Sequence, residues 1–479
     1  MNETLEIRSE EREKLFERLR DKLETAYHLN RQVVSFQANK NEPVYRWFKY
    51  KEGFSSALVK YFIKEYSAKP GKILDPFAGA GTTLFAAQEE GWESYGIELL
   101  PVGAFVMKAR QAIKGINVKA LQNAIHDFWE QIEEIEIKHT IEHISITKDA
   151  FPDDTEVQLN KYLTYCNSNL DTNISTILKF AAFSILEEIS FTRKDGQYLR
   201  WDYRSKRNLT GKSFDKGKIF NFREALKLKL NQIIEDLSGA GQPNTLFDIF
   251  EKTEIHELPV NVIEGSCLDE LPKLPSNEFD FIITSPPYCN RYDYTRTYAL
   301  ELVYLGLNND EVRNLRQTML SCTVENKEKV EYLRDFYIAR DQLDTFEKVL
   351  EVYNSSDAMQ EVNSTLDELN KAGNLNNKNI ARMVKNYFLE MCFVVYEMSR
   401  VMKLGGYCVM VNDNVRYGGE EIPVDLILSE FAGNFGFYIE KIFVLPKGKG
   451  NSSQQMGKHG RSEIRKCVYL WRKTQKATI

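Results

Sequence analysis

The chain has 479 residues, 43% of them hydrophobic, and a net charge of −6 at neutral pH, which allows a large α/β domain with insertions and excludes a surface that coats nucleic acid all over. Its charged start, MNETLEIRSEEREK, and the want of any apolar run of about 18 residues argue against secretion and membrane spanning. Seven cysteines are spread without a CxxC pair or a His cluster, which predicts a reduced cytoplasmic setting and no metal site.

Residues 1–43 form an N-terminal segment in which Leu5, Leu15, Phe16, Leu19 and Leu23 recur along one side of a charged helix ending near Asn30. From Val44 the chain reads VYRWFKYKEGFSSALVKYFIKEY, with Ser55 or Ser56 placed to cap a helix carrying Leu58, Val59, Phe62 and Ile63.

Strand, glycine turn and helix follow within 44–104. Lys72-Ile73-Leu74 enters Asp75-Pro76-Phe77-Ala78-Gly79-Ala80-Gly81-Thr82-Thr83, a helix runs from Leu84 to Glu90, and the next strand, Ser94 to Ile97, ends in Glu98. In a βαβ unit such glycines let a ligand approach the backbone, the helix start offers free amides, and the acid after the second strand takes ribose hydroxyls. These features describe a nucleoside site. Leu84 stands where a dinucleotide fingerprint has its third glycine, and an acid-proline pair precedes the turn, so a nicotinamide or flavin is disfavoured.

Between 105 and 258 the parallel-sheet rhythm lapses into helices, Ala120 to Glu134 and Ile174 to Glu188, and then into a basic stretch with ten Lys and Arg against three acids from Arg193 to Arg223. Alone, such a run is a solvated surface or a loop over the cleft. Here Tyr198, Trp201 and Tyr203 interleave with Arg193, Lys194, Arg200, Arg204 and Arg207, a mixture suited to stacking on bases and pairing with phosphates.

The sheet resumes over 259–307 with Val260 to Ile263, then Gly265-Ser266-Cys267-Leu268-Asp269, then FDFIITSPPY at 279–288. Phe281-Ile282-Ile283 reads as a buried parallel strand, and two prolines end it. Ser285 and the Pro286 carbonyl are left as stiff acceptors at the carboxyl edge of the sheet, beside the ring of Tyr288. That corner suits a planar group carrying an amine. Residues 308–379 are helix-rich and of mixed charge. Residues 380–479 restore the pattern with a helix from Ile380 to Met402, the strand YCVMV, a helix from Val424 to Phe431 and the strands FYIEKIFVL and KCVYLWRK, the last two separated by a basic loop, KGKGNSSQQMGKHGRSE.

The acid-Pro-Phe-x-Gly-x-Gly turn at 75–81 resembles motif I, and Thr284-Ser285-Pro286-Pro287-Tyr288 resembles motif IV, of the DNA amino-methyltransferases that use S-adenosyl-L-methionine. The resemblance covers the sheet-forming half of the chain. It implies a class I methyltransferase fold, Rossmann-like, with a mostly parallel sheet, helices on both faces and two largely helical insertions. It further implies cofactor contacts from Phe54, Asp75, Pro76, Phe77, Ala78, Gly79, Gly81, Thr82, Thr83, Glu98 and Ser266, with Asp269 as substitute for the acid that the family usually carries at the position of Ser266. Ser285, Pro286, Pro287 and Tyr288 would hold a base flipped out of double-stranded DNA. DNA contacts fall to Arg193, Lys194, Arg200, Trp201, Arg204, Arg207, Arg291, Tyr292 and Arg296, with 105–258 reading the target and 308–379 assisting. Serine in motif IV favours cytosine-N4 over adenine-N6.

The chemistry supplies an independent reason for an amine target. An exocyclic amine is a poor nucleophile because its lone pair is delocalised; accepting its hydrogens on Ser285 and the Pro286 carbonyl favours a pyramidal nitrogen. Flipping costs a few kcal/mol, part of which stacking on Tyr288 would offset. Ring-carbon methylation would need a cysteine nucleophile, which in the enzymes of that family directly follows a proline; Cys289 follows Tyr288 and reads instead as a structural neighbour. The rivals are amino-methylation of RNA or of a protein glutamine, and a DNA-binding module with a decayed enzyme core; the intact motifs count against the second. Such enzymes work in the cytoplasm, often within restriction-modification, beside a cognate endonuclease or another defence component.

Overall fold

The computed structural model describes residues 9–67, 69–168, 170–195, 199–207, 213–239, 258–446 and 464–476; Leu5, Tyr198 and the basic loop 447–463 lie outside them. The strands among these residues are β1 (Leu23–Thr25), β2 (Lys72–Asp75), β3 (Glu93–Glu98), β4 (Thr192–Lys194), β5 (Leu199–Trp201), β6 (Val260–Glu264), β7 (Phe279–Thr284), β8 (Met402–Asp413), β9 (Val415–Tyr417), β10 (Glu420–Ile422), β11 (Phe437–Val444) and β12 (Lys466–Lys473). Eight of them form one sheet in the order β1-β11-β12-β8-β7-β2-β3-β6, while β4/β5 and β9/β10 pair as small hairpins. From β6 through β3, β2 and β7 to β8 all neighbours are parallel, and β12 runs antiparallel between β8 and β11. This is the class I methyltransferase sheet expected from the sequence.

The strand order reverses beside β2, which has β3 on one flank and β7 on the other. Ligands of open α/β sheets bind at such a point, beyond the carboxyl ends of the strands. Both motifs therefore open on one crevice. The strands that carry them are buried on both faces, as parallel strands between helical layers are. Phe281 and Ile283 pack with Leu58, Val59 and Phe62 of the helix Ser56–Tyr66, which Ser55 caps by accepting the Leu58 amide. Ile282 faces the opposite layer, where the long helix Ile380–Val401 supplies Val384, Phe388 and Met391.

The N-terminal segment departs from the expected single helix. Its helix covers only Glu10–Leu19, and Leu23 enters β1, which pairs in parallel with Ile442–Val444. The free edge of β11 offers unpaired backbone groups, and satisfying them outweighs continuing a polar helix.

The region after β3 begins with a helix, Pro101–Ala112, whose Val102, Val106 and Ala109 are buried, so position 105 falls inside an element. Further on, the helix Thr172–Ile189 builds a second core in which Phe180 and Phe183 meet Trp47, Phe48 and Tyr298. Between 309 and 371 lie four helices, of which Leu343–Ser355 and Asp357–Lys371 present Phe346, Val349, Met359, Val362 and Leu366 to the helix Ile380–Val401, with Phe346 stacked on Phe393 at 5.3 Å. No helix among the described residues is long and apolar enough to cross a membrane.

Candidate active site

Asp75 ends β2 and ties the glycine turn to its surroundings. Its carboxylate accepts the Phe77 amide (3.0 Å), the Thr83 hydroxyl (2.7 Å) and the Thr284 hydroxyl at the end of β7 (2.6 Å). Burial pushes its pKa up to about 6, against the pull of these three bonds. Gly79 and Gly81 have φ of 53° and 75°, left-handed values that favour glycine. Gly81 then starts the helix Thr82–Glu89.

Glu98, at the end of β3, accepts the Gly79 amide and the Leu100 amide, both at 2.6 Å. The residue is 9% exposed, and burial raises its carboxyl pKa to about 8. The turn is backed by Gly103 of the helix Pro101–Ala112, where a Cβ would stand 2.4 Å from the Gly79 carbonyl oxygen. The sequence gives no local sign of that contact.

Two cavities open beside these turns. The first is lined by Gly53 and Phe54, by Asp75 to Ala80 and Thr82, by Ile97 to Leu100, by Gly265 to Cys267, and by Ser285 and Pro287. Of the residues that the sequence assigns to a cofactor, Phe54, Asp75, Pro76, Phe77, Ala78, Gly79, Thr82, Glu98 and Ser266 all line it. Gly81 and Thr83 stand behind the turn. Asp269 points elsewhere and accepts the Tyr332 hydroxyl at 2.5 Å, while Ser266 caps its own short helix by accepting the Leu268 amide at 3.3 Å. Tyr50, Glu52, Tyr294, Met319 and Leu320 complete the lining, and sequence reasoning did not assign them to it. The dense aromatics of VYRWFKYKEG could have drawn attention to Tyr50 and Glu52; Met319 and Leu320 follow the remote helix Asn309–Thr318 and carry no such sign.

The second cavity is lined by Pro286, Tyr288, Asn290 and Tyr292, by Lys51, and by Asp413, Arg465 and Lys466 from the far strands. Glu52, Gly53 and Tyr294 belong to both cavities. The four residues after Thr284 thus form a partition, with Ser285 and Pro287 on the first side and Pro286 and Tyr288 on the second. Ser285 donates its hydroxyl proton to the Val411 carbonyl (3.1 Å), and the Tyr288 hydroxyl lies 3.5 Å away. Burial raises the Tyr288 phenol pKa. Asp413 is bound to Lys466 at 2.7 Å, and burial raises its pKa. Cys289 is fully buried, its thiol pushed well up by burial, and its carbonyl accepts the Tyr417 hydroxyl at 2.7 Å.

The basic residues are dispersed and largely engaged. Lys194 is buried in an ion pair with Glu301 (2.5 Å) and lies 4.4 Å above the Tyr298 ring. Arg204 grips Asp202 through two bonds, 2.7 and 2.9 Å, and donates to the Gly217 carbonyl. Arg193 donates to the Lys216 carbonyl, and Arg207 donates to the Ser145 carbonyl while lying 4.0 Å over Trp201. Arg200 stacks on Phe214 at 4.0 Å with its side chain 45% exposed. Arg291 donates to Asn376, Arg296 pairs with Asp293 and Glu325, and Tyr292 packs edge-on against Tyr294 at 4.9 Å. No cluster of three or more His, Cys, Asp or Glu able to hold a metal ion occurs among the described residues.

A class I sheet with a glycine turn and a proline corner at its switch point defines a methyltransferase of the amino-directed kind. A family model described as DNA methylase matches residues 3–102. The chain is 46% identical over 468 residues to the type II methyltransferase M.AvaI of Nostoc sp., covering 96% of this chain and 92% of that protein. It is 43% identical over 459 residues to M.BsoBI of Geobacillus stearothermophilus (93% and 88%), and 24% identical over 427 residues to M.MvaI of Kocuria varians (86% and 86%). No solved structure matches. The chain belongs to the type II DNA methyltransferases, enzymes of the N4/N6 amino-methylating group.

Proposed function

We propose that this enzyme transfers a methyl group from S-adenosyl-L-methionine to the exocyclic N4 of a cytosine flipped out of duplex DNA. The observation that carries the reading is the partition Ser285-Pro286-Pro287-Tyr288, which separates a glycine-turn cavity from a second cavity lined by aromatic rings. The residues present fit the cofactor: Glu98 keeps oxygen lone pairs beyond its two backbone bonds for a ribose diol, and the positive-φ glycines leave backbone in reach of an adenosyl amino acid. That cofactor supplies an electrophilic methyl group on a sulfonium.

The chain's own part is to present a nitrogen. With its proton given to Val411, the Ser285 oxygen is left as an acceptor and takes one amine hydrogen; the Pro286 carbonyl takes the other. Holding both hydrogens draws the nitrogen lone pair out of conjugation and toward the first cavity. Tyr288 stacks on the ring and offsets the cost of flipping. Positioning and electrostatics then suffice, without a covalent intermediate, and the methylated nitrogen sheds its surplus proton to solvent through the second cavity. Cys289, buried behind the partition, takes no part.

Of the basic residues, Arg200 and Arg207, over the half-buried rings of Phe214 and Trp201, suit phosphate contact best, and Tyr292 lines the second cavity with Arg291 and Arg296 close to it in the chain. Arg200→Glu with Arg207→Glu should weaken duplex binding and flatten its salt dependence while leaving cofactor affinity unchanged. The overall test is expression in a host free of DNA methylation, followed by sequencing for modified bases. N4-methylcytosine at one short motif is the expected outcome; N6-methyladenine would correct the base, and unmodified DNA with labelled RNA or protein would overturn the reading.

A further inference from the structure

The first cavity contains three carboxylates, and their bonds differ. Asp75 is occupied by three donors and Glu98 by two backbone amides. Glu52 is built otherwise. Its Oε2 accepts the Tyr298 hydroxyl at 2.5 Å, but its Oε1 is buried without a hydrogen-bond partner. The Tyr292 phenol, itself buried without a hydrogen-bond partner, is a second neutral donor beside this carboxylate, and a buried carboxylate left to neutral phenols still costs free energy that a charged donor from a ligand would offset.

The carboxylate is also held in place. Tyr298 is fully buried, stacks flat on Tyr50 at 5.4 Å and 12°, and receives the Lys51 amide at 3.4 Å. The adjacent cation does not compensate Glu52, because the Lys51 ammonium donates to the Lys194 carbonyl at 2.6 Å. Tyr50 and Tyr294 line the same cavity as Glu52, and aromatic faces beside an acid are the surroundings in which an ammonium group is bound.

Resting on the cofactor reading above, we propose that Glu52 is the counter-ion of the cofactor's α-ammonium group, with Tyr50 and Tyr294 as the rings around it. The ammonium brings charged donors where the surroundings offer neutral phenols, and its charge matches the carboxylate. Ribose recognition stays with Glu98 and support of the turn with Asp75, so each of the three acids has a separate task.

The test measures binding and needs no turnover. Calorimetry would compare S-adenosyl-L-homocysteine, which has the ammonium but no sulfonium, with 5′-methylthioadenosine, which lacks the amino-acid arm, on the wild-type enzyme and on Glu52→Gln. The substitution should weaken S-adenosyl-L-homocysteine about ten- to hundredfold, the range of a hydrogen bond to a charged group, and leave 5′-methylthioadenosine within about threefold. Glu52→Asp, which keeps the charge, should recover part of the loss, and thermal melting of each variant separates loss of contact from loss of fold. Equal losses for both ligands, or none, would overturn the assignment. A loss confined to S-adenosyl-L-methionine would overturn it as well, by placing Glu52 at the sulfonium. If the wild-type enzyme bound none of these adenosyl compounds, the cofactor reading itself would fail, and this inference with it.

Discussion

The turn after β2 and the turn after β7 sit side by side at the switch point, yet they are held by opposite means. The first depends on buried acids: Asp75 and Glu98 gather amides and hydroxyls, and burial raises both their pKa values. The second has no acid of its own. Two prolines fix its path, and one hydroxyl bond from Ser285 to Val411 joins it to β8. On the proposed function, the turn meant for a polar cofactor is made from charge and open backbone, whereas the one meant to present acceptors to an amine is stiff and neutral. The first should respond to pH and to added bulk, the second to loss of single atoms.

The largest effect expected of that contrast lies in the second turn. Ser285→Ala and Tyr288→Ala should each lower single-turnover methylation on the order of 10²-fold or more, with cofactor affinity nearly unchanged. Activity surviving both would mean that this partition does not hold the target.

Next in size is the pH response of the first turn. Glu98 has a folded pKa of about 8 against an ordinary 4.5, so the folded chain binds that proton more tightly than the unfolded chain. Its contribution to stability is full below the ordinary value and is lost as pH rises through about 8. Denaturant melts over that window should show wild type losing on the order of a few kcal/mol relative to Glu98→Gln, which cannot titrate. Asp75 adds a smaller effect of the same sign ending near pH 6. Parallel curves for wild type and variant would show that burial does not hold the Glu98 proton.

Smaller again, Gly103→Ala places a methyl 2.4 Å from the Gly79 carbonyl. It should cost about 1–3 kcal/mol through a displaced turn, read as weaker cofactor binding in spite of alanine's better helix propensity. The Ser285 and Tyr288 positions should not feel it.

What was legible in the sequence was local. Asp75 to Thr83 and Thr284 to Tyr288 stand out as consecutive residues and come together at the two cavities, and the strands around them read correctly because apolar runs bounded by glycine or proline have few alternatives. What depended on distant partners was not. Lys194 looks basic and exposed in sequence, but Glu301, 107 positions away, draws it into the interior. Leu23 continues an apolar helix pattern until the unpaired edge of β11 claims it. Met319 and Leu320 reach the first cavity through tertiary packing, and Gly103 matters only because Gly79 approaches it.

The cysteines have a practical consequence. All seven are buried, and burial raises every one of their thiol pKa values, so the native enzyme should resist alkylation. A single cysteine introduced at exposed Tyr203 would then be the one site open to maleimide chemistry. A fluorophore placed there would test whether a duplex approaches the β4/β5 hairpin, without first replacing any native cysteine.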